Sequence, residues 1–310
     1  MEIRSVCVAG GGVMGLGIIR GFASRGIETW LLSRDPRAAK PGLPEGIRRI
    51  GAAESPPPDL LIESLPEDMA LKQDFLAGVE AAWGGRTLIA SNTSVLPLQE
   101  LADGLRFPER FCGLHYMQPA DTFAYVELIA VRQSGPAMLD GIAALLARAG
   151  RTALRLSKSI PGALINRLQH AMANEAYHII AEGAVDAATV DLVVRRMLGP
   201  RMAVTGLIEQ KDLSGLVTHA ASQAGLVPQL HHEGTAAAWM LDLPRRGEAG
   251  ADAGLGFYDW RGVDPAAYRA FAAQFVARFL ALQAEAEAAR AKLAPAPRRH
   301  PLPPADARPE

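Results

Sequence analysis

The strongest constraint on this chain lies at its start. An apolar run at residues 6–9 leads directly into Gly10-Gly11-Gly12-Val13-Met14-Gly15, then an apolar helix-like stretch, then a second apolar run at residues 29–32. A turn that tight between a buried strand and a helix tolerates few side chains. Gly10 permits the turn, Gly12 lets backbone approach a pyrophosphate, and Gly15 lets the helix pack closely. The free amides and positive dipole end of the helix at Val13 and Met14 suit an anion. The spacing therefore predicts a strand-helix-strand unit that binds a dinucleotide.

Further apolar runs at residues 60–63, 87–91, 111–116 and 126–131 alternate with helix-like stretches, the pattern of a mostly parallel sheet covered on both faces. The expected fold is α/β: a Rossmann-type doubly wound sheet domain over residues 1–158, then a mostly α-helical domain over residues 159–290. A long helix over residues 163–183 opens the second domain, with Leu164, Leu168, Met172, Ala176, Ile179 and Ile180 at helical spacing. Residues 291–310 are rich in Pro, Ala and Arg. They hold too little apolar area to offset the entropy of ordering, and a disordered tail is expected.

A formal net charge of −1 over 310 residues offers no basic excess for nucleic acid, and no apolar run reaches membrane-spanning length. No leader-like segment precedes the first strand. Cys7 and Cys112 lie inside apolar runs, so buried free thiols in a reducing compartment, the cytoplasm, are expected. No metal is expected.

The end of the second strand bears on cofactor choice, because an acid there hydrogen-bonds the adenosine ribose of NAD. Ser33 occupies that place, with Arg34 next and Arg37 three residues beyond. The site lacks the carboxylate that repels a 2′-phosphate and offers two cations for one, so NADP is the expected cofactor in preference to NAD. The alternative leaves both arginines as solvated loop charges, with Asp35 taking the ribose from a shifted position.

Oxidising a secondary alcohol requires loss of the hydroxyl proton as hydride leaves carbon, and reduction requires a proton donor. A histidine, with an ordinary pKa near 6.5, serves both directions. His115 falls at the C-terminal end of an expected strand, where open parallel sheets bind ligands, and Glu127 on the next strand is placed to accept its second ring proton.

These residues belong to an ordered series: Glu63-Ser64-Leu65-Pro66-Glu67, Ser91-Asn92-Thr93-Ser94, His115-Tyr116-Met117-Gln118-Pro119, Glu127, Pro161-Gly162-Ala163-Leu164-Ile165-Asn166-Arg167 and Gly256-Phe257-Tyr258-Asp259-Trp260. In that order, from residue 3 to about residue 262, the chain resembles the 3-hydroxyacyl-CoA dehydrogenase family. The resemblance implies His115 as acid/base with Glu127 as its orienter, and Ser94 and Asn166 on the substrate oxygen. Asn166 would be carried in by the second domain. It further implies Glu67 and Lys72 near the nicotinamide ribose, Asn92 among the cofactor-binding residues, a small-molecule or carrier-bound acyl substrate, and a homodimer made mainly by the helical domain. Val193, Val194, Met197 and Leu198 are candidates for that interface. The other histidines, including His170, His178, His231 and His232, are read as structural or surface residues.

The sequence departs from the family where a helical arm that grips CoA normally follows the second strand. Only a short Pro-rich stretch from Asp35 to Pro58 stands there. Gln118 replaces an Asn and Leu207 a Pro. The expected substrate is a 3-hydroxyacyl thioester on CoA or a carrier. A free 3-hydroxy acid stays open, as in the lambda-crystallin-like L-gulonate and carnitine dehydrogenase relatives, and so does a catalytically silent nucleotide-binding or structural role.

Overall fold

A computed structural model describes residues 1–51 and 57–292. The part of the expected tail from residue 293 onward lies outside the described residues, as do positions 52–56 of the Pro-rich stretch.

Among the described residues eight strands form one sheet: β1 Ser5–Ala9, β2 Glu28–Leu32, β3 Arg48–Ile50, β4 Leu60–Glu63, β5 Leu88–Ser91, β6 Phe111–His115, β7 Tyr125–Ala130 and β8 Thr152–Leu156. Their order is β3-β2-β1-β4-β5-β6-β7-β8. All neighbours pair in parallel except β6 and β7. The chain winds outward from β1 to β3 on one side, then crosses to β4 on the other. Beside β1 it therefore leaves the switch point at which such sheets bind ligands.

Helices on both faces explain the continuous apolar runs. On one face Val6, Val8 and Leu31 pack with Ile18, Ile19 and Phe22 of α1 (Val13–Ala23). On the other, Cys7, Trp30 and Leu61 pack with Leu76, Val79 and Trp83 of α2 (Met69–Trp83). Both cysteines are free and buried, and burial pushes each thiol up to about 12. The helix α2 begins at Asp68, whose side chain accepts from Leu71 N, and ends at Gly84 in the left-handed region.

Two strands go beyond the apolar runs of the sequence. Both β3 and β8 are edge strands; β3 buries only Ile50 and exposes Arg48 and Arg49. One-sided burial at an edge gives no continuous apolar run.

After α3 (Leu98–Asp103) and α4 (Pro136–Arg148), the helix α5 (Ile165–Ala181) occupies the expected long-helix segment. The chain divides into two compact units, Met1–Ala171 and Met172–Glu310, and the division falls inside α5. Its first turn is tied to the sheet by Leu164 N and Ile165 N, which donate to Glu127. The second unit is helical: α6 (Ala187–Val193), a single π-turn at Val194–Leu198, α7 (Gly199–Thr205), α8 (Glu209–Ser214), α9 (Leu216–Leu226), α10 (Ala238–Arg245) and α11 (Pro265–Arg290). None of these helices has a buried residue. No helix among the described residues is long and apolar enough to cross a membrane.

Candidate active site

A cleft of about 1090 Å³, lined entirely by residues of the first unit, opens at the carboxyl ends of the strands. Its floor starts at the glycine turn. Gly10 has φ +109, and a Cβ there would collide with the Ser64 carbonyl oxygen; a Cβ on Gly15 would collide with that of Gly10. These two glycines let strand, turn and helix approach one another. Gly12 differs, since a Cβ there would meet nothing within 4 Å. It is the N-cap of α1 and supplies no side-chain cap, and no acid stands in the first turn. The amides at Val13 and Met14, both lining the cleft, therefore face an open space suited to a phosphate.

His115 ends β6 directly opposite Glu127 of β7 in the antiparallel register. Its Nδ1 lies 2.6 Å from Glu127 Oε2, with the side chains 4% and 0% exposed. Burial by itself raises the Glu127 pKa, but the bond from His115 and the amides of Ile165 and Leu164 outweigh it and hold the carboxyl below its ordinary value. An ionised carboxylate only accepts, so the proton sits on Nδ1, and Nε2 of the neutral ring keeps its lone pair. Among the described histidines only His115 lines the cleft. The other Glu127 oxygen accepts from Leu164 N at 2.8 Å and Ile165 N at 3.0 Å. One carboxylate thus orients the imidazole and seats the helix carrying Asn166.

Asn166 Nδ2 donates to the Ser94 carbonyl oxygen at 3.5 Å, and both residues line the cleft. The turn bearing Ser94 is held by Glu67, whose two oxygens accept from Thr93 Oγ1 (2.7 Å) and Ser94 N (2.5 Å). Glu67 lines the cleft, but its carboxylate is already engaged in shaping it. Asn92 also lines the cleft while fastening strands: its Oδ1 accepts from Tyr116 N and its Nδ2 donates to Ser64 Oγ.

Lys72 stands behind Glu67, with Nζ 3.8 Å from Glu67 Oε2. It is absent from the cleft wall and 1% exposed, with Nζ 2.5 Å from Glu63 Oε1 and donating to the Leu65 carbonyl at 3.0 Å. The cause is Glu63, a fully buried carboxylate ending β4 that needs a counter-charge and also accepts from Ser91 Oγ and Leu65 N. Glu63 was legible only as part of a motif; its organising role depends on burial.

At the other end of the cleft, Ser33, Arg34 and Asp35 line the wall, and Arg37 does not. Asp35 Oδ1 accepts from Arg37 N at 2.9 Å and Ala38 N at 3.2 Å, so the carboxylate caps its own turn and draws the Arg37 backbone into it. Lys40, which carried no signal in the sequence, lines the wall instead.

Comparison with known proteins gives matches along most of the chain. The family model described as 3-hydroxyacyl-CoA dehydrogenase, NAD binding domain, matches residues 51–160, and that of the family's C-terminal domain matches residues 162–260. An L-carnitine dehydrogenase of Streptomyces griseus is 30% identical over 75% of this chain and 74% of its own length. A probable 3-hydroxybutyryl-CoA dehydrogenase of Bacillus subtilis is 29% identical over 84% of this chain and 98% of its own length. The solved structure of a 5-formyl-3-hydroxy-2-methylpyridine 4-carboxylic acid 5-dehydrogenase, described as an NAD+-dependent dismutase, superposes with a TM-score of 0.83 over 92% of this chain and 99% of that one, at 24% identity.

Proposed function

Since the chain belongs to the 3-hydroxyacyl-CoA dehydrogenase family, we propose that it interconverts a 3-hydroxyacyl compound and its 3-oxo counterpart, using His115 as acid/base and Glu127 as its orienter. The observation that carries this reading is the buried His115–Glu127 pair in the same cleft as an uncapped, glycine-opened helix terminus. A nicotinamide ring bound there supplies the hydride acceptor for oxidation and the donor for reduction. The protein's own groups handle the proton. Nε2 of His115 takes it from the hydroxyl as the alcohol is oxidised and returns it to the alkoxide oxygen on reduction. Glu127 keeps the Nδ1 proton in place and stabilises the charged ring between those events.

In this reading Ser94 and Asn166 hold the substrate oxygen. Gly10, Gly12, Val13, Met14 and Gly15 receive the pyrophosphate, while Glu67 and Asn92 shape the wall by the nicotinamide ribose. Lys72 acts at one remove, by fixing Glu63 and the loop before Glu67. The substrate is a thioester on CoA or a carrier protein. A free 3-hydroxy acid is the second reading, favoured by one observation: the link between β2 and β3 holds no helix that would grip CoA. A turnover assay with acetoacetyl-CoA, a short thioester analogue and a panel of 3-hydroxy acids tests both. A folded protein that binds cofactor and turns over none of them would instead be catalytically silent.

NADP(H) is the preferred cofactor in this reading. Ser33 leaves no carboxylate against a 2′-phosphate, Arg34 faces the cleft, and Asp35 spends an oxygen on its own turn. A charge-assisted bond corresponds to a preference of about 10- to 150-fold, and partial exposure of the arginine favours the lower part. The kcat/KM ratio for NADPH and NADH should fall in Arg34→Ala and invert in Ser33→Asp at one ionic strength. A wild type preferring NADH, or a ratio unmoved by Arg34→Ala, would make the arginine a solvated charge.

A further inference from the structure

We propose that Lys40 is the second cation of a subsite for the 2′-phosphate of NADPH, in the same cleft wall as Arg34 at the adenosine end. This rests on the NADPH preference above and names a residue for it. Lys40 is half-buried, and its Cδ and Cε lie 3.4 Å, and its Nζ 3.5 Å, from where a Cβ on Gly11 would stand. The side chain is therefore draped over the glycine turn with its ammonium in the cleft wall.

One hydrogen bond puts Gly11 beside the end of β2. Gly10 N donates to the Leu32 carbonyl, and Gly11 is the next residue; Ser33 and Arg34 directly follow Leu32. The notch between the glycine turn and Ser33 is where the adenosine ribose lies in a sheet of this winding. The pyrophosphate belongs one residue further on, beyond Gly12 at the open terminus of α1. The loop returns Lys40 to this notch through two fastenings: Asp35 Oδ1 accepts from Arg37 N and Ala38 N, and Arg49 Nη1 donates to the Ala38 carbonyl at 2.9 Å. Neither Arg34 nor Lys40 has a carboxylate partner among the described residues. Two such cations on one wall repel each other until a dianion joins them, and a phosphate monoester has the charge and the oxygens to do so.

The test is direct fluorescence titration of NADPH and NADH into wild type, Lys40→Gln and Lys40→Arg, with 2′,5′-ADP and 5′-AMP as competitors. Lys40→Gln should raise the Kd for NADPH and for 2′,5′-ADP about tenfold while changing NADH and 5′-AMP by less than about twofold, and Lys40→Arg should keep most of the affinity. An unchanged NADPH affinity overturns the assignment. So does an equal loss for both cofactors, which would put the ammonium on the pyrophosphate. A wild type that favours NADH defeats the cofactor reading itself, whereas one that favours NADPH with an unmoved ratio in Lys40→Gln defeats only the role of Lys40.

Discussion

At the scale of single residues, the site depends on one carboxylate that serves three donors. Glu127 takes the imidazole on Oε2 and the amides of Leu164 and Ile165 on Oε1, so neither oxygen is idle although the group is fully buried. His115→Gln should leave folding and cofactor affinity nearly intact while lowering turnover on the order of a hundredfold or more. Steady-state kinetics beside cofactor titration checks this, and unchanged turnover removes the mechanism. Glu127→Gln should be milder in turnover but costlier in stability. Because the folded carboxyl titrates below its ordinary value of 4.5, its ionised form stabilises the fold fully above that value. The contribution is lost as pH falls through the folded pKa. The stability gap between wild type and Glu127→Gln, measured by urea unfolding, should therefore be wide at about pH 7 and close progressively as pH falls below 4.5 and through the folded pKa. A gap independent of pH would mean that Glu127 does not fold ionised.

At the scale of elements, the ends of β4, β5 and α2 are joined by a buried ion pair. Lys72 reaches back from α2 to Glu63 at the tip of β4, and Glu63 takes the hydroxyl of Ser91 at the tip of β5. Removing one partner of such a pair strands the other charge, so Lys72→Met should cost about 3 to 5 kcal/mol. Adding Glu63→Gln should recover part of that loss. The exposed Arg132–Asp103 pair is the control, and Arg132→Ala should cost less than about 1 kcal/mol. Equal losses for the two lysine and arginine variants would mean that the buried pair adds nothing beyond a surface contact. Lys72 also shows what packing adds: its spacing from Glu67 puts both near one strand end, and Nζ comes within 3.8 Å of Glu67 Oε2, but burial gives it the closer contact with Glu63.

At the scale of the whole molecule, the two units differ in how they meet water. Leu60, Leu61 and Ile62 in the sheet are fully buried, while the second unit exposes Val217 at 89%, Ile208 at 74% and Phe271 at 55%. Met197, one of the interface candidates, is 59% exposed. Helices with this much apolar surface in water call for a covering surface, and a second copy of the chain fits the homodimer expected from the sequence. Light scattering at micromolar concentration should give the mass of a dimer, and a monomer would count against it. Replacing Phe271, Phe275 and Phe279 with Ser should then shift the population toward monomer. What the sequence determined was set by local rules. A turn that must pass between strand and helix needs glycine at 10 and 15, strands buried on two faces read as apolar runs, and His115 and Glu127 fall on consecutive apolar runs. The edge strands β3 and β8, the burial of Lys72 on Glu63 and the drape of Lys40 over Gly11 were decided by tertiary structure. Each depends on which groups distant in the chain compete for one partner out of water, and spacing along a chain carries no record of that competition.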